Sequence, residues 1–326
     1  MSTRFTLAAI LQSGRLEYEA VLLAASLARA EPDRDYALVF LEPQPGPLWR
    51  HDPRARNPEV LAFLRACGAT IQPFQSRRFG DAYPHGNKIE ALRALPDRPF
   101  VFFDTDTLFM GPLRDVAFDF DRPSASLRRE GTWPKTGGSG PGHAEIWQAL
   151  YARFGLDFAA SLDLNHGEDD WRRYLYFNAG VFWHRSPQEF GGLWEEMAHG
   201  IWTDPPPALR DQKLVPWLDQ VSLPLVIHAL GGGRHGPPVG IDGDISCHYR
   251  TLPLLYAREA DAVVAALEDV AASAKVKRIL QRYPAAQEMI FRGRGQQARA
   301  LFDRDNLPEN EAALRRRLRD SNLWMR

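Results

Sequence analysis

The run Phe100-Val101-Phe102-Phe103-Asp104-Thr105-Asp106-Thr107-Leu108-Phe109 delivers two carboxylates at the end of an apolar stretch. Apolar runs of this length read as strands buried on both faces, and the carboxyl ends of such strands are where α/β proteins hold ligands. Asp104 and Asp106 stand two apart, so in an extended backbone their side chains leave on one side and can share a divalent cation. A metal-dependent site is the first expectation.

Toward the amino terminus the pattern alternates. Residues 5–12 read as a strand, 16–29 as a helix with apolar residues at helical spacing, and 36–41 as a second strand. Asn57 and Pro58 open a helix over 58–66 that Gly68 closes, and a third strand follows at 70–74. A short helix over 87–95 precedes the 100–104 strand. This β-α-β-α-β-α-β order predicts an α/β fold, a mostly parallel sheet with helices on both faces.

Beyond residue 123 the pattern loosens. Residues 131–142 hold five glycines and two prolines and are expected to form a mobile loop. Helices are expected over 144–154 and 193–199, a strand over 174–184, and one helix or two over 211–225 around Pro216. A short apolar element is expected at 245–249. From 255 onward the chain turns helical and basic, with nine arginines and six acids over 288–326. Leu314, Leu318 and Trp324 can line one face of a terminal helix. A helix packed on the body is expected ahead of docking on an anionic membrane, because the acids interrupt the basic cluster.

Composition narrows the partners. The 326 residues, 44% hydrophobic and 25% charged, suffice for one large core or a core with an appended subdomain. Lys and Arg number 40 against 41 Asp and Glu, a net charge of -1 that gives no overall electrostatic reason to bind nucleic acid. Lysine is scarce among the basic residues, a bias expected of a GC-rich bacterial genome. Cys67 and Cys247 are too few for a disulfide framework or a structural zinc site. The apolar run at 5–11 is too short for a signal peptide or a membrane span, so a cytoplasmic protein is expected.

Several segments in order carry a family resemblance. Asn87-Lys88-Ile89-Glu90-Ala91-Leu92 followed by Phe103-Asp104-Thr105-Asp106-Thr107-Leu108-Phe109 resembles the lysine-bearing helix and D-x-D strand of GT-A nucleotide-sugar glycosyltransferases, notably the glycogenin-like group. Phe177-Asn178-Ala179-Gly180-Val181 resembles that group's F-N-[SA]-G-V strand. Asp219-Gln220 with Leu223 resembles its D-Q segment, and His248-Tyr249 its late metal-ligating histidine. The resemblance spans about residues 4–250 and implies a GT-A catalytic domain over 1–250, with 251–326 as a helical extension packed on it.

The implied activity is metal-dependent hexosyl transfer from a nucleotide-diphosphate sugar, a UDP-sugar first, to a glycan, lipid-linked or protein acceptor, with retention. A divalent cation neutralises the charge that develops on the diphosphate leaving group. Hard oxygen ligands plus one imidazole suit Mn2+, with Mg2+ second. Asp106 and His248 are assigned as direct ligands, while Asp104 is left between the metal, the ribose hydroxyls, or both. Lys88 is expected to reach the diphosphate or donor sugar, as a point charge at a helix start. Asp219 is expected to hold donor-sugar hydroxyls, with Gln220 beside the anomeric carbon; Asp211-Gln212 is an equally good textual competitor. Asn178, interrupting an apolar strand, must be satisfied by a sugar or by backbone. Gln12, Ser13 and Gly14 end the first strand, where the resemblance puts base and ribose. Trp133, Trp171 and Trp183 are aromatic candidates for an acceptor sugar, and Asp219, Asp211, Glu130, Asp169 and Asp170 are candidate bases should the reaction invert.

The segment after His248, Tyr249-Arg250-Thr251-Leu252, departs from the family by lacking the glycine and lysine that clamp the diphosphate, and Arg250 is the candidate substitute. Two alternatives stand beside the transferase. Asp104-Thr105-Asp106-Thr107-Leu108 also resembles the nucleophile strand of haloacid-dehalogenase-like phosphatases, although that motif normally begins its fold and carries a glycine before the threonine. The other is an inactive sugar-nucleotide-binding module.

Overall fold

A computed structural model describes residues 4–128, 133–137 and 140–325. Part of the glycine-rich stretch 131–142 and the candidate base Glu130 lie outside the described residues.

The amino-terminal alternation is present as β1 (Thr6–Ile10), α1 (Arg15–Ala30), β2 (Ala37–Pro43), α2 (Pro58–Ala66), β3 (Ala69–Phe74), α3 (Asn87–Glu90) and β4 (Phe100–Phe103). Asn57 caps α2 by accepting from the Glu59 amide at 3.0 Å, with Pro58 at the first helical position. The helix expected over 87–95 is shorter: α3 ends at Glu90 and a 3-10 turn spans Leu92–Ala94. Pro96 forces Leu95 into extended backbone, which ends the 3-10 turn.

The chain continues through β5 (Thr107–Phe109), β6 (Ala125–Ser126), α4 (His143–Arg153), β7 (Asn178–His184), α5 (Pro187–Thr203), α6 (Leu218–Ala229) and β8 (Ser246–His248). Six strands form one sheet in the order β3-β2-β1-β4-β7-β6, parallel through β4 and antiparallel beyond it. The fold is thus α/β, with a mostly parallel sheet flanked by helices. β5 and β8 make a separate antiparallel ribbon, with Thr107 opposite His248.

Three sequence readings are corrected. The Asp104-Thr105-Asp106 segment is a bend between β4 and β5 rather than extended strand. Residues 174–177 are buried but precede β7, whose pairing with β6 starts at Asn178, and the Tyr174 carbonyl accepts from Arg234 at 3.1 Å. Asp211 stands outside any helix, and α6 begins only after Pro216.

Successive residues of β1 and β4 face opposite cores. Leu7, Ala9, Val101 and Phe103 join one apolar cluster, and Ala8, Ile10, Phe100 and Phe102 the other. The first cluster also holds the carboxy-terminal helices, α7 (Leu252–Arg258), α8 (Asp261–Ala272), α9 (Ala274–Leu280), α10 (Pro284–Ala286), α11 (Arg294–Ala300) and α12 (Glu311–Asp320). Leu314 and Leu318 of α12 are buried in it. Residues beyond 251 therefore share a core with α1 and β5. No helix among the described residues is long and apolar enough to cross a membrane.

Candidate active and metal-binding site

β4 ends where its partner β7 begins. The Asp104 amide donates to the Gly180 carbonyl at 2.8 Å, which seats the D-x-D bend against the Asn178-Ala179-Gly180 segment. On the other side the Tyr249 amide donates to the Asp106 carbonyl at 2.9 Å, extending the β5–β8 pairing by one residue. These two backbone bonds bring His248 to the aspartates. Its Nε2 lies 3.1 Å from Asp106 Oδ1 and 3.9 Å from Asp104 Oδ2.

Ligand atoms of Asp104, Asp106 and His248 all lie within 4.8 Å of one another. Two carboxylates and an imidazole form a donor set that fits a divalent cation. Burial by itself raises the Asp106 carboxyl, but His248, Arg15 and Lys88 more than reverse this and hold it well below the ordinary range. It is therefore ionised and able to ligate.

Gly180 is what lets the imidazole in. A β-carbon there would stand 2.2 Å from His248 Nδ1 and 2.7 Å from Asn178 Oδ1, distances real side chains do not tolerate. Asn178 meets its own requirement with backbone, its Oδ1 accepting from the Gly180 amide at 2.8 Å.

Lys88 is only 6% exposed. Its Nζ lies 2.7 Å from Asp104 Oδ1 and 3.5 Å from Asp219 Oδ2, and donates to the Ala179 carbonyl at 3.1 Å. Burial opposes its charge, yet the Asp104 and Asp219 carboxylates raise its pKa overall. Where the sequence suggests a reach toward the diphosphate, the geometry has this ammonium joining the D-x-D bend to α6.

Asp219 is buried in the first turn of α6 and receives the Tyr83 hydroxyl at 2.8 Å, while its amide donates back to that hydroxyl at 2.9 Å. Burial first, then Asp219, push the Tyr83 phenol well up, so it stays a neutral donor. Gln220 accepts from the Tyr176 hydroxyl at 3.1 Å. Of the two Asp-Gln pairs, Asp219-Gln220 is the one brought to Lys88; Asp211 is exposed, and Gln212 pairs with the Lys135 backbone.

The site opens on a cleft of about 310 Å³ lined by Gln12, Arg15, Asn87, Lys88, Asp104 and Asp106, among others. Gln12 accepts from Asn87 Nδ2 at 2.9 Å on its wall. Arg250 takes another direction: its φ is 67, and its guanidinium pairs with Glu311 of α12 at 3.2 Å. Trp133 and Trp183 are core residues, the first edge-on to Trp147 and the second donating to the Asp119 carbonyl at 2.9 Å. Trp171 lies at the surface. Asp170 is held by Arg172 at 2.6 Å.

The sequence model of the Rhodobacterales glycosyltransferase domain matches residues 7–231, more than two thirds of the chain. The chain belongs to this glycosyltransferase family. Among curated proteins none matches it. Solved structures similar to this glycosyltransferase include the galactosyltransferase LgtC in complex with donor and acceptor sugar analogues, at 15% identity over 70% of this chain and 72% of that one, TM-score 0.41. Others are the bifunctional glycosyltransferase WbbM, at 12% identity over 86% and 52%, TM-score 0.40, and GlyE of Streptococcus pneumoniae TIGR4, at 12% over 78% and 48%, TM-score 0.39. At these TM-scores the likenesses carry no part of the assignment.

Two residues of the candidate site escape the motifs. Tyr83 carries a weak signal, an aromatic ahead of Pro84-His85-Gly86 and the Lys88 helix. Arg15, whose Nη1 lies 3.4 Å from Asp106 Oδ2, carries only its place just after the end of β1.

Proposed function

We propose that this glycosyltransferase is a GT-A type enzyme that moves a hexose from a nucleotide-diphosphate sugar, a UDP-sugar first, to a glycan, lipid-linked or protein acceptor with retention, using Mn2+ or Mg2+. One observation carries the reading: Asp104, Asp106 and His248, from segments far apart in sequence, converge within 4.8 Å in a chain of a glycosyltransferase family.

In this reading the three side chains hold the cation. When bound, it supplies positive charge to the departing diphosphate. The anomeric carbon–oxygen bond breaks with its electron pair leaving on the diphosphate, and the acceptor hydroxyl oxygen forms the new bond while its proton passes to the departing diphosphate oxygen. Lys88 keeps Asp104 and Asp219 in register through its ion pairs. Asp219, Gln220 and Asn178 border the donor sugar, and Gln12 meets the nucleoside end. Residues 1–250 form the catalytic domain and 251–326 its packed extension, in a cytoplasmic protein.

Family membership sets the phosphohydrolase alternative aside. A binding module without turnover is the outcome the experiment distinguishes. Hydrolysis of UDP-, GDP- and other nucleotide sugars is followed with Mn2+, with Mg2+ and with excess chelator. Release of a nucleoside diphosphate that needs the metal is the expected result. Full activity in chelator, or metal-dependent binding with no turnover of any donor, overturns it.

A further inference from the structure

Beside the metal cluster stands a cation that the motifs leave unassigned. Arg15 opens α1 directly after Gly14, whose φ of 87 turns the chain off β1 into the helix. Its Nη1 lies 2.7 Å from Glu19 Oε1 and 3.4 Å from Asp106 Oδ2, and donates to the Arg250 carbonyl at 3.3 Å. Asp106 thus faces His248 with one oxygen and Arg15 with the other. Glu19 is buried, whereas the Arg15 side chain keeps 34% of its surface in solvent. The guanidinium is held from behind and open in front.

The cavities give the direction in which it faces. The cleft of about 310 Å³ at the aspartates adjoins a second, of about 750 Å³, whose lining includes Ser13, Tyr18, Trp49, His51 and Tyr283. Gln12 and Arg15 line both. The second cavity is rich in flat side chains, with the Tyr18 and Tyr283 rings stacked at 5.1 Å. A ligand with a charged end at the aspartates and a flat end in the larger cavity must cross Arg15.

Of the other cations nearby, Lys88, Arg250 and Arg282 are committed to carboxylates, while Arg56, on the wall of the larger cavity and away from the aspartates' cleft, donates to the Asp52 carbonyl at 3.3 Å. Lys88 spends its donors on Asp104, Ala179 and Asp219. Arg250 pairs with Glu311, and Arg282, on the wall of the larger cavity, with Glu59 at 2.7 Å. The contacts to Glu19, Asp106 and the Arg250 carbonyl all fall on Nη1, so the fork has Nε and Nη2 beyond them, and its planar geometry matches two phosphate oxygens at once.

We infer that Arg15, oriented by Glu19, is the guanidinium that grips the diphosphate of the donor, the role the sequence suggests for Lys88 and Arg250. This rests on the nucleotide-sugar reading of the site.

Calorimetric titration of the full chain with Mn2+ alone, then with UDP and with GDP in saturating Mn2+, tests it in wild type and R15Q. Mn2+ alone is expected to bind R15Q at least as tightly, since a positive neighbour of Asp106 is gone. The better-bound nucleoside diphosphate is expected to bind R15Q about 10- to 100-fold more weakly, the scale of a lost charge-assisted contact. Opposite movement of the two affinities is a signature that a merely structural role does not produce. Should R15Q fail to fold with Glu19 left unpaired, the double variant R15Q/E19Q removes both charges and carries the same expectation. Unchanged diphosphate affinity overturns the role of Arg15 and leaves the nucleotide-sugar reading standing. Parallel loss of Mn2+ and diphosphate affinity overturns it in favour of a structural role. A wild type that binds neither diphosphate overturns both.

Discussion

A β-carbon on Gly180 would begin 2.2 Å from Nδ1 of His248. The glycine of β7 and the histidine of β8 are therefore one device, in which a missing side chain leaves room for an imidazole to turn toward Asp106. Gly180→Ala is expected to displace that ring while leaving the sheet paired. Mn2+ affinity should fall by about 10- to 100-fold, as for other perturbed metal surroundings. Calorimetric Mn2+ titration beside a thermal melt checks this, and wild-type affinity would show that the ring is not needed there.

Asp106 links the site to pH. Its carboxyl is depressed in the folded chain, so its contribution to stability is present above the unfolded value of about 3.9 and is lost as pH falls through the folded one. Metal-free wild type should exceed Asp106→Asn in stability at about pH 7, and that advantage should shrink below about pH 4. Urea titrations of both proteins across this range measure it. A constant difference at all pH values would remove the ion pairs as its source.

Lys88 is buried between two carboxylates, and Lys88→Met would leave both without their counter-ion. Loss of one partner of a buried pair costs about 3–5 kcal/mol. Because the Lys88 pKa is raised on folding, its contribution is complete below the unfolded value of about 10.4 and is lost as pH rises through the folded one. Denaturant titration at about neutral pH should show the loss in full. A change of a few tenths of a kcal/mol would mean that solvent replaces the ammonium.

Tyr83 exchanges two hydrogen bonds with Asp219, one in each direction. Tyr83→Phe keeps the ring packing and removes both, at a cost of about 1–3 kcal/mol. If Asp219 borders the donor sugar, turnover should fall while Mn2+ affinity stays near wild type. Paired kinetic and metal titrations test this separation, and joint loss of both would place Tyr83 in the support of the cation cluster instead.

Much of the frame was legible beforehand because its signals are local. The alternation from residue 5 to 104, the Asn57-Pro58 helix start and the apolar run into Asp104 each depend on neighbours a few positions apart, and apart from the 87–95 helix, whose α part ends at Glu90, each stands in the structure near its expected bounds. The ordered segments pointed to the glycosyltransferase family for the same reason, each being a short string with its own spacing. Text alone left Asp211-Gln212 level with Asp219-Gln220; contact with Tyr83 and Lys88 separates them.

What the sequence by itself determined was which residues have the chemistry to serve a site and that strand ends would carry them. Which charge faces which was decided by tertiary structure. Pairing of β5 with β8 sets His248 against Asp106, packing of α12 draws Arg250 to Glu311, and the turn into α1 points Arg15 at the cleft. Periodicity is a property of adjacent residues, whereas these ion pairs depend on segments 61 positions apart or more sharing one low-dielectric space, where a few ångströms decide the partner.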